Sequence, residues 1–169
     1  MLRLLSRTDG LLTLASLLAL AAIGGAWFSE LGLGFVPCKL CLWQRWPYYI
    51  AAPLVVTAFL RLRQPEMRSR GIVLIALLGL IFVVSTGLGV YHAGVEWKLW
   101  AGPSDCGGRL ATLAPSLDDF RKSLNTARVV LCDEAPMRIL GLSFAGWNAV
   151  ISAGISALYF AAAKRAARA

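Results

Sequence analysis

GIVLIALLGLIFVVSTGLGVYHAGV, residues 71–95, contains no Asp, Glu, Lys or Arg. A helix needs about 20 residues to cross the roughly 30 Å hydrocarbon core of a bilayer. This stretch is longer than that, so it decides the class of the fold. Working outward, two further uncharged runs reach spanning length, Gly10–Ser29 and Ile139–Ala163. A fourth run, Trp46–Leu60, is shorter and contains Pro47 and Pro53. It reaches spanning length if its first turn includes Leu42 to Arg45, with the guanidinium snorkelling toward the headgroups. The expectation is one all-α membrane domain over residues 1–169. Its four-transmembrane-helix bundle has spans at approximately 10–29, 43–60, 71–92 and 140–163, and two extracytoplasmic loops at approximately 30–42 and 93–139.

Composition agrees. Of 169 residues, 58% are hydrophobic and 15% charged, which excludes an ordinary soluble domain of this size. The net charge of +8 reads as topology rather than nucleic-acid binding. With four spans both termini lie on one side. The N-tail, the 61–70 link and the C-tail together carry nine basic and two acidic residues, against eight basic and seven acidic on the other side. Lys and Arg concentrate on the cytoplasmic side of bilayer proteins, so the termini are expected in the cytoplasm. Trp27, Trp43, Trp46, Tyr48, Tyr49, Tyr91, Trp97 and Trp100 cluster where the opposite interface falls, as belt residues do. Arg3 and Arg7 followed by an apolar run and Ala19-Leu20-Ala21 resemble a signal peptide. The run is longer than a usual signal core and cleavage would strand the basic C-tail on the wrong side, so a retained helix is expected.

All four cysteines, Cys38, Cys41, Cys106 and Cys132, then face the extracytoplasmic side, where disulfides form and persist. In the Cys38-Lys39-Leu40-Cys41 motif two sulfurs are close enough for a small-ring disulfide. A loop that short constrains little chain entropy, so the motif is hard to explain unless it reacts. Arg45 lies four residues after Cys41, on the same face of a helix. A cation about 4–6 Å away lowers a neighbouring acid's pKa by roughly 1–3, and a helix N-terminus acts in the same direction. Arg45 also suits stabilisation of negative charge on an oxygen-bearing acceptor in the membrane. His92, the one histidine of the chain, is read equally well as an interfacial anchor or as a donor to a reduced acceptor.

The second loop holds Leu117, Phe120 and Leu124 at helical spacing, with Ser116 placed as a cap and Asp118, Asp119, Arg121 and Lys122 on the other side. A short amphipathic helix lying on the bilayer is expected there; it would keep Cys106 and Cys132 near Cys38. Two other readings of the cysteines stand beside electron relay. Zinc favours four ligands, often in closely spaced pairs, whereas Cys106 and Cys132 are far apart along the chain; a site using all four cysteines stays geometrically open, but an oxidising compartment disfavours it, so no metal is expected. A structural disulfide suits Cys106 and Cys132, since closing the long loop between them stabilises by a few kcal/mol.

Pro37-Cys38-Lys39-Leu40-Cys41-Leu42-Trp43-Gln44-Arg45 after the first span, Tyr91-His92-Ala93-Gly94-Val95-Glu96, Trp100-Ala101-Gly102-Pro103 before Cys106, and Ile139-Leu140-Gly141-Leu142-Ser143-Phe144-Ala145-Gly146-Trp147-Asn148 together resemble the disulfide bond formation protein B (DsbB) family. The resemblance covers essentially the whole chain. It implies a bacterial inner-membrane, disulfide-generating thiol:quinone oxidoreductase that re-oxidises a periplasmic thioredoxin-fold dithiol protein of the DsbA type. The catalytic set it implies is Cys38, Cys41, Cys106 and Cys132. The partner's thiolate attacks Cys106, Cys132 attacks Cys38, and Cys41 meets a ubiquinone or menaquinone beside Arg45, with His92 nearby. One departure stands out: the residue before the arginine is acidic in a familiar family member and is Gln44 here. A vitamin-K-epoxide-reductase-like enzyme is the rival within redox chemistry, but there the CxxC lies late in the bundle. A non-catalytic scaffold held by disulfides is the rival outside it. A monomer is expected, with no nucleic-acid partner.

Overall fold

The computed structural model describes residues 2–103, 128–129 and 132–168. Four long helices lie among them: α1 (Leu2–Leu31), α2 (Lys39–Leu62), α3 (Arg68–Glu96) and α4 (Phe144–Ala167). Segments Thr8–Leu31, Pro65–Glu96 and Phe144–Ala167 are long and apolar enough to cross a membrane. α2 is not among those three. It carries Gln44, Arg45 and two internal prolines, Pro47 and Pro53, which dilute its apolar character without ending the helix. Side chains such as Leu17, Leu20, Phe28, Val84 and Val56 point outward, each more than half exposed. In water that pattern is costly; in lipid it is the expected outer surface.

α3 packs along both α2 and α4, and α1 lies mainly against α4 with only light contact to α2. The mid-bundle core is built on Ile75, Leu78, Phe82, Ile155 and Tyr159, all fully buried. Phe82 stacks on Tyr159 at 5.8 Å and meets Tyr48 edge-on at 5.2 Å. Small residues let the helices approach, as is usual where lipid removes the hydrophobic drive for association. A Cβ at Gly89 would lie 2.8 Å from the Ala149 backbone nitrogen. A polar seam crosses the same interface. Tyr48 Oη donates to Asn148 Oδ1 at 2.6 Å and lies 3.0 Å from Ser152 Oγ, which pairs with Ser85 at 2.9 Å; Ser156 donates to the Gly79 carbonyl at 2.9 Å.

The helix limits differ from the sequence reading at one informative place. α4 begins at Phe144 rather than at residue 140, because Arg138–Ile139 (β3) and Leu142–Ser143 (β4) form an antiparallel hairpin. Its two turn residues, Leu140 and Gly141, both have positive φ (52° and 85°), the conformation that matches the twist of a two-residue hairpin. Ser143 then caps α4, accepting from the Gly146 N–H at 3.2 Å. The mostly helical fold therefore includes short β pairs. The second pair is parallel, joining Phe35–Val36 (β1) to Arg128–Val129 (β2). The expected amphipathic helix around Leu117–Leu124 and the site residue Cys106 lie outside the described residues.

Candidate redox site

The β1–β2 pairing sets the site. Val36 sits opposite Val129, so Cys38, two residues on, and Cys132, three residues on, leave the pair side by side in the same direction. Both are buried, packed with Leu40 and Val95 against Cys41. Cys38 is the N-cap of α2: its φ and ψ are extended, and its Sγ accepts from the Cys41 N–H at 3.2 Å. A thiolate there faces unpaired N–H groups and the positive end of the helix dipole. Cys38 and Cys41 are free, with their sulfurs 2.6 Å apart, whereas Cys132 is disulfide-bonded.

From α3, His92 completes the cluster. Its ring is buried, with Nε2 3.7 Å from Cys38 Sγ and Nδ1 2.6 Å from Gln44 Nε2. A ligating atom from each of Cys38, His92 and Cys132 falls within 4.8 Å of the others. These are three groups with one sulfur already oxidised, which is a poor zinc set and a good position for sulfur exchange. One turn on from His92, the Glu96 carboxylate lies 3.9 Å from Nε2 and is hydrogen-bonded by Ser143.

The electrostatics of the pair differ from the sequence expectation. A hydrogen bond from Cys41 pulls the Cys38 thiol down to about 5 from an ordinary 9.0; burial opposes this, and a hydrogen bond from His92 adds to it. The charge of the free dithiol therefore rests on Cys38, with the proton on Cys41. Arg45 does not set it. Although four residues from Cys41, its guanidinium is ion-paired with Glu30 on α1, donates to the Ala26 carbonyl at 3.3 Å and sits 5.5 Å over the Trp27 ring. It clamps the start of α2 to the end of α1.

Between α1, α2 and α4, where α1 and α2 barely touch, lies a cavity of about 320 Å³ with largely apolar walls. That volume is within the range of small-molecule sites. Cys41, Gln44, Arg45, Tyr48, Glu96 and Asn148 are among its polar residues, with His92 and Ser29, and Ala22, Ala26, Phe144 and Ile151 are among its apolar ones. Among the described residues, Glu96 Oε2 and Asn148 Nδ2 are buried without a hydrogen-bond partner. The sequence reading assigns a role to neither Glu96 nor Asn148. Glu96 has a legible signal in its i, i+4 spacing to His92; Asn148 has a weaker one, as the most polar residue of an apolar run.

The family model for disulfide bond formation protein DsbB matches residues 7–162. The chain belongs to the DsbB family. It is 34% identical over 151 residues to disulfide bond formation protein B 1 of Pseudomonas putida, covering 86% of this chain and 84% of that one. It is 31% identical over 133 residues to disulfide bond formation protein B of Marinobacter nauticus, covering 74% and 73%. No solved structure matches. Membership places the chain among membrane-embedded, disulfide-forming oxidoreductases.

Proposed function

We propose that this chain is a thiol:quinone oxidoreductase of the bacterial inner membrane, which re-oxidises a periplasmic thioredoxin-fold dithiol protein. All four helices then cross the bilayer, α2 included, with both termini cytoplasmic and the cysteines periplasmic. The observation that carries the reading is the approach of Cys132 to Cys38 and His92 within 4.8 Å, beside a membrane-level cavity that Cys41 lines.

Electrons move by two exchanges. The partner's thiolate attacks Cys106 of a Cys106–Cys132 disulfide, forming a mixed disulfide and releasing Cys132 as thiolate. The partner's second thiolate then resolves that mixed disulfide. Cys132 attacks Cys38 of the oxidised Cys38–Cys41 pair; the Cys38–Cys132 bond forms, the Cys38–Cys41 bond breaks, and Cys41 leaves as thiolate. The Cys106 thiolate, released when the partner's mixed disulfide is resolved, then attacks Cys132, re-forming the Cys106–Cys132 bond and releasing Cys38, so that both electrons rest on the Cys38–Cys41 dithiol. This reconciles the charge distribution with the family's use of its second CxxC cysteine. In the free dithiol Cys38 holds the negative charge. Once Cys38 is tied to Cys132 it no longer competes, and the charge passes to Cys41, whose sulfur lines the cavity.

The cavity fits a quinone ring. It is apolar, offers an unpartnered amide donor in Asn148 Nδ2 for a carbonyl oxygen, and has Arg45 within its wall. A bound quinone would supply a two-electron, two-proton acceptor. Cys41, Arg45 and Asn148 would hold it; His92 and Glu96 stand where a proton can be held or passed.

Turnover of a reduced thioredoxin-fold dithiol and a quinone by the detergent-purified chain tests the proposal, followed by loss of quinone absorbance. Cys41→Ser is expected to abolish it. Retention of full quinone reduction in that variant would overturn the assignment. Failure of the unmodified chain with both ubiquinone and menaquinone, its disulfides intact, would favour a disulfide-held scaffold.

A further inference from the structure

The Gln44 side chain is buried, comes from the first turns of α2, and meets His92 of α3 across 48 residues of sequence. An amide offers both a donor and an acceptor. The atom that faces His92 Nδ1 is the donor, Nε2, at 2.6 Å. A nitrogen that accepts this bond carries no proton, so a neutral ring must hold its proton on Nε2. That nitrogen faces two acceptors, Cys38 Sγ at 3.7 Å and Glu96 Oε1 at 3.9 Å, and the donor–acceptor pattern is satisfied in one sense from Gln44 through the ring to the sulfur.

We propose that Gln44 is a positioning residue that fixes the His92 tautomer, holding the proton on Nε2 where it is donated to the Cys38 sulfur. The consequence follows from the chemistry of the side chain at position 44. A carboxylate there would accept rather than donate. It would draw a proton onto Nδ1, and with Cys38 and Glu96 still facing Nε2 the ring would gain a second proton and become cationic. The amide opposes that: a proton on Nδ1 would meet an N–H. The groups facing the ring are Gln44 from α2, Cys38 from the α2 N-cap, Glu96 from α3 and Cys132 from the segment after β2. Among the described residues none of these groups is a cation, so the choice of residue at 44 decides between a neutral and a charged ring. Gln44 would thereby make His92 a neutral hydrogen-bond donor to sulfur rather than a fixed positive charge beside it. The assignment of purpose rests on the relay reading, since it is Cys38 that the ring serves.

His92 is the only histidine in the chain, so ring-¹⁵N-histidine labelling of the whole protein in detergent, with the Cys38–Cys41 pair kept reduced, reports this ring alone. At neutral pH one protonated and one bare nitrogen are expected, with the couplings of the Nε2–H tautomer. In Gln44→Glu both nitrogens are expected to be protonated at the same pH. In Gln44→Leu, with Cys38 and Glu96 still facing Nε2, the ring is expected to keep its Nε2 proton while the Nδ1 resonance shifts on losing the amide donor. A Nδ1–H ring or a doubly protonated ring in the unmodified chain would overturn the proposal, as would a singly protonated ring in Gln44→Glu at the same pH or an unmoved Nδ1 resonance in Gln44→Leu. The readout needs neither quinone nor partner, so failure of the relay reading and failure of this one are separable. The isosteric Gln44→Glu keeps the test available if the leucine variant does not fold.

Discussion

Two buried polar regions of this bundle are built to opposite rules. In the seam at mid-bundle, Tyr48, Ser85, Ser152 and Ser156 find partners at 2.6–3.0 Å, which is how a membrane bundle uses polar groups to hold helices together. In the cluster near the start of α2, two sulfurs lie 2.6 Å apart without a covalent bond, a carboxylate oxygen has no partner among the described residues, and a histidine stands between donor and acceptors. Buried polar groups left unpaired cost free energy; they persist where something else is to bind or react. Asn148 belongs to both regions. Its Oδ1 accepts from Tyr48 in the seam while its Nδ2 is buried and unpaired in a residue that lines the cavity. The difference separates residues that hold the molecule together from residues that act.

The largest expected effect comes from the cluster. Cys38→Ser should abolish dithiol oxidation, and in the reduced chain it should lower the thermal unfolding midpoint only above about pH 5, where the thiolate is present, since the seam is untouched. In the unmodified chain with the pair reduced, thiolate absorbance should titrate with a midpoint of about 5, and Cys38→Ser should remove that transition. The linkage has a definite sign. Since the folded thiol titrates below its ordinary value of 9.0, this group stabilises the reduced fold fully above that value, and the contribution is lost as pH falls toward about 5. A titration near the ordinary thiol value would show that the hydrogen bonds from Cys41 and His92 do not hold the charge on Cys38.

Tyr48→Phe sharpens the comparison from the other side. It removes one hydroxyl with two partners, Asn148 Oδ1 and Ser152 Oγ, and spares every atom of the cysteine cluster. Hydrogen bonds between membrane helices contribute about 0.6 kcal/mol on average and at most about 1.7 kcal/mol, so a loss of about 1 kcal/mol in stability is expected. Dithiol exchange with the partner should be nearly unchanged, and any activity loss should appear in the apparent quinone affinity, since Tyr48 and Asn148 both line the cavity. Loss of exchange itself would mean that the two regions are not separable.

What sequence reveals follows the same division. The apolar runs mark α1, α3 and α4, and the Cys38–Cys41 motif marks the candidate site, because hydropathy and short spacing are local properties. The hairpin at Leu140–Gly141 is hidden inside an uncharged run, since counting charges does not register two positive φ angles. Arg45 shows where spacing misleads. Sharing a helical face with Cys41 does not prevent its long side chain from reaching Glu30 on another helix. Gln44 stands out only as a departure from an acidic residue, and its contact with His92 joins elements 48 residues apart. The approach of Cys132 to Cys38 depends on a parallel two-residue strand pair, which no periodicity announces.

The smallest effect is expected at the rim of the cluster, where Lys98 and Asp133 form an exposed ion pair at 2.6 Å beside Cys132. Lys98 has positive φ at the turn that ends α3, and its ammonium holds the Asp133 carboxyl below the usual carboxylate range. The pair therefore favours the folded arrangement above the ordinary carboxylate pKa, and the benefit disappears as pH falls through the lowered value. Exposed pairs are screened by solvent and salt, so Lys98→Ala should change turnover by less than about twofold, with the difference from the unmodified chain vanishing at high salt. A larger, salt-resistant loss of turnover would mean that this pair holds Cys132 against Cys38, and that the β1–β2 pairing alone does not define the position of the second cysteine pair.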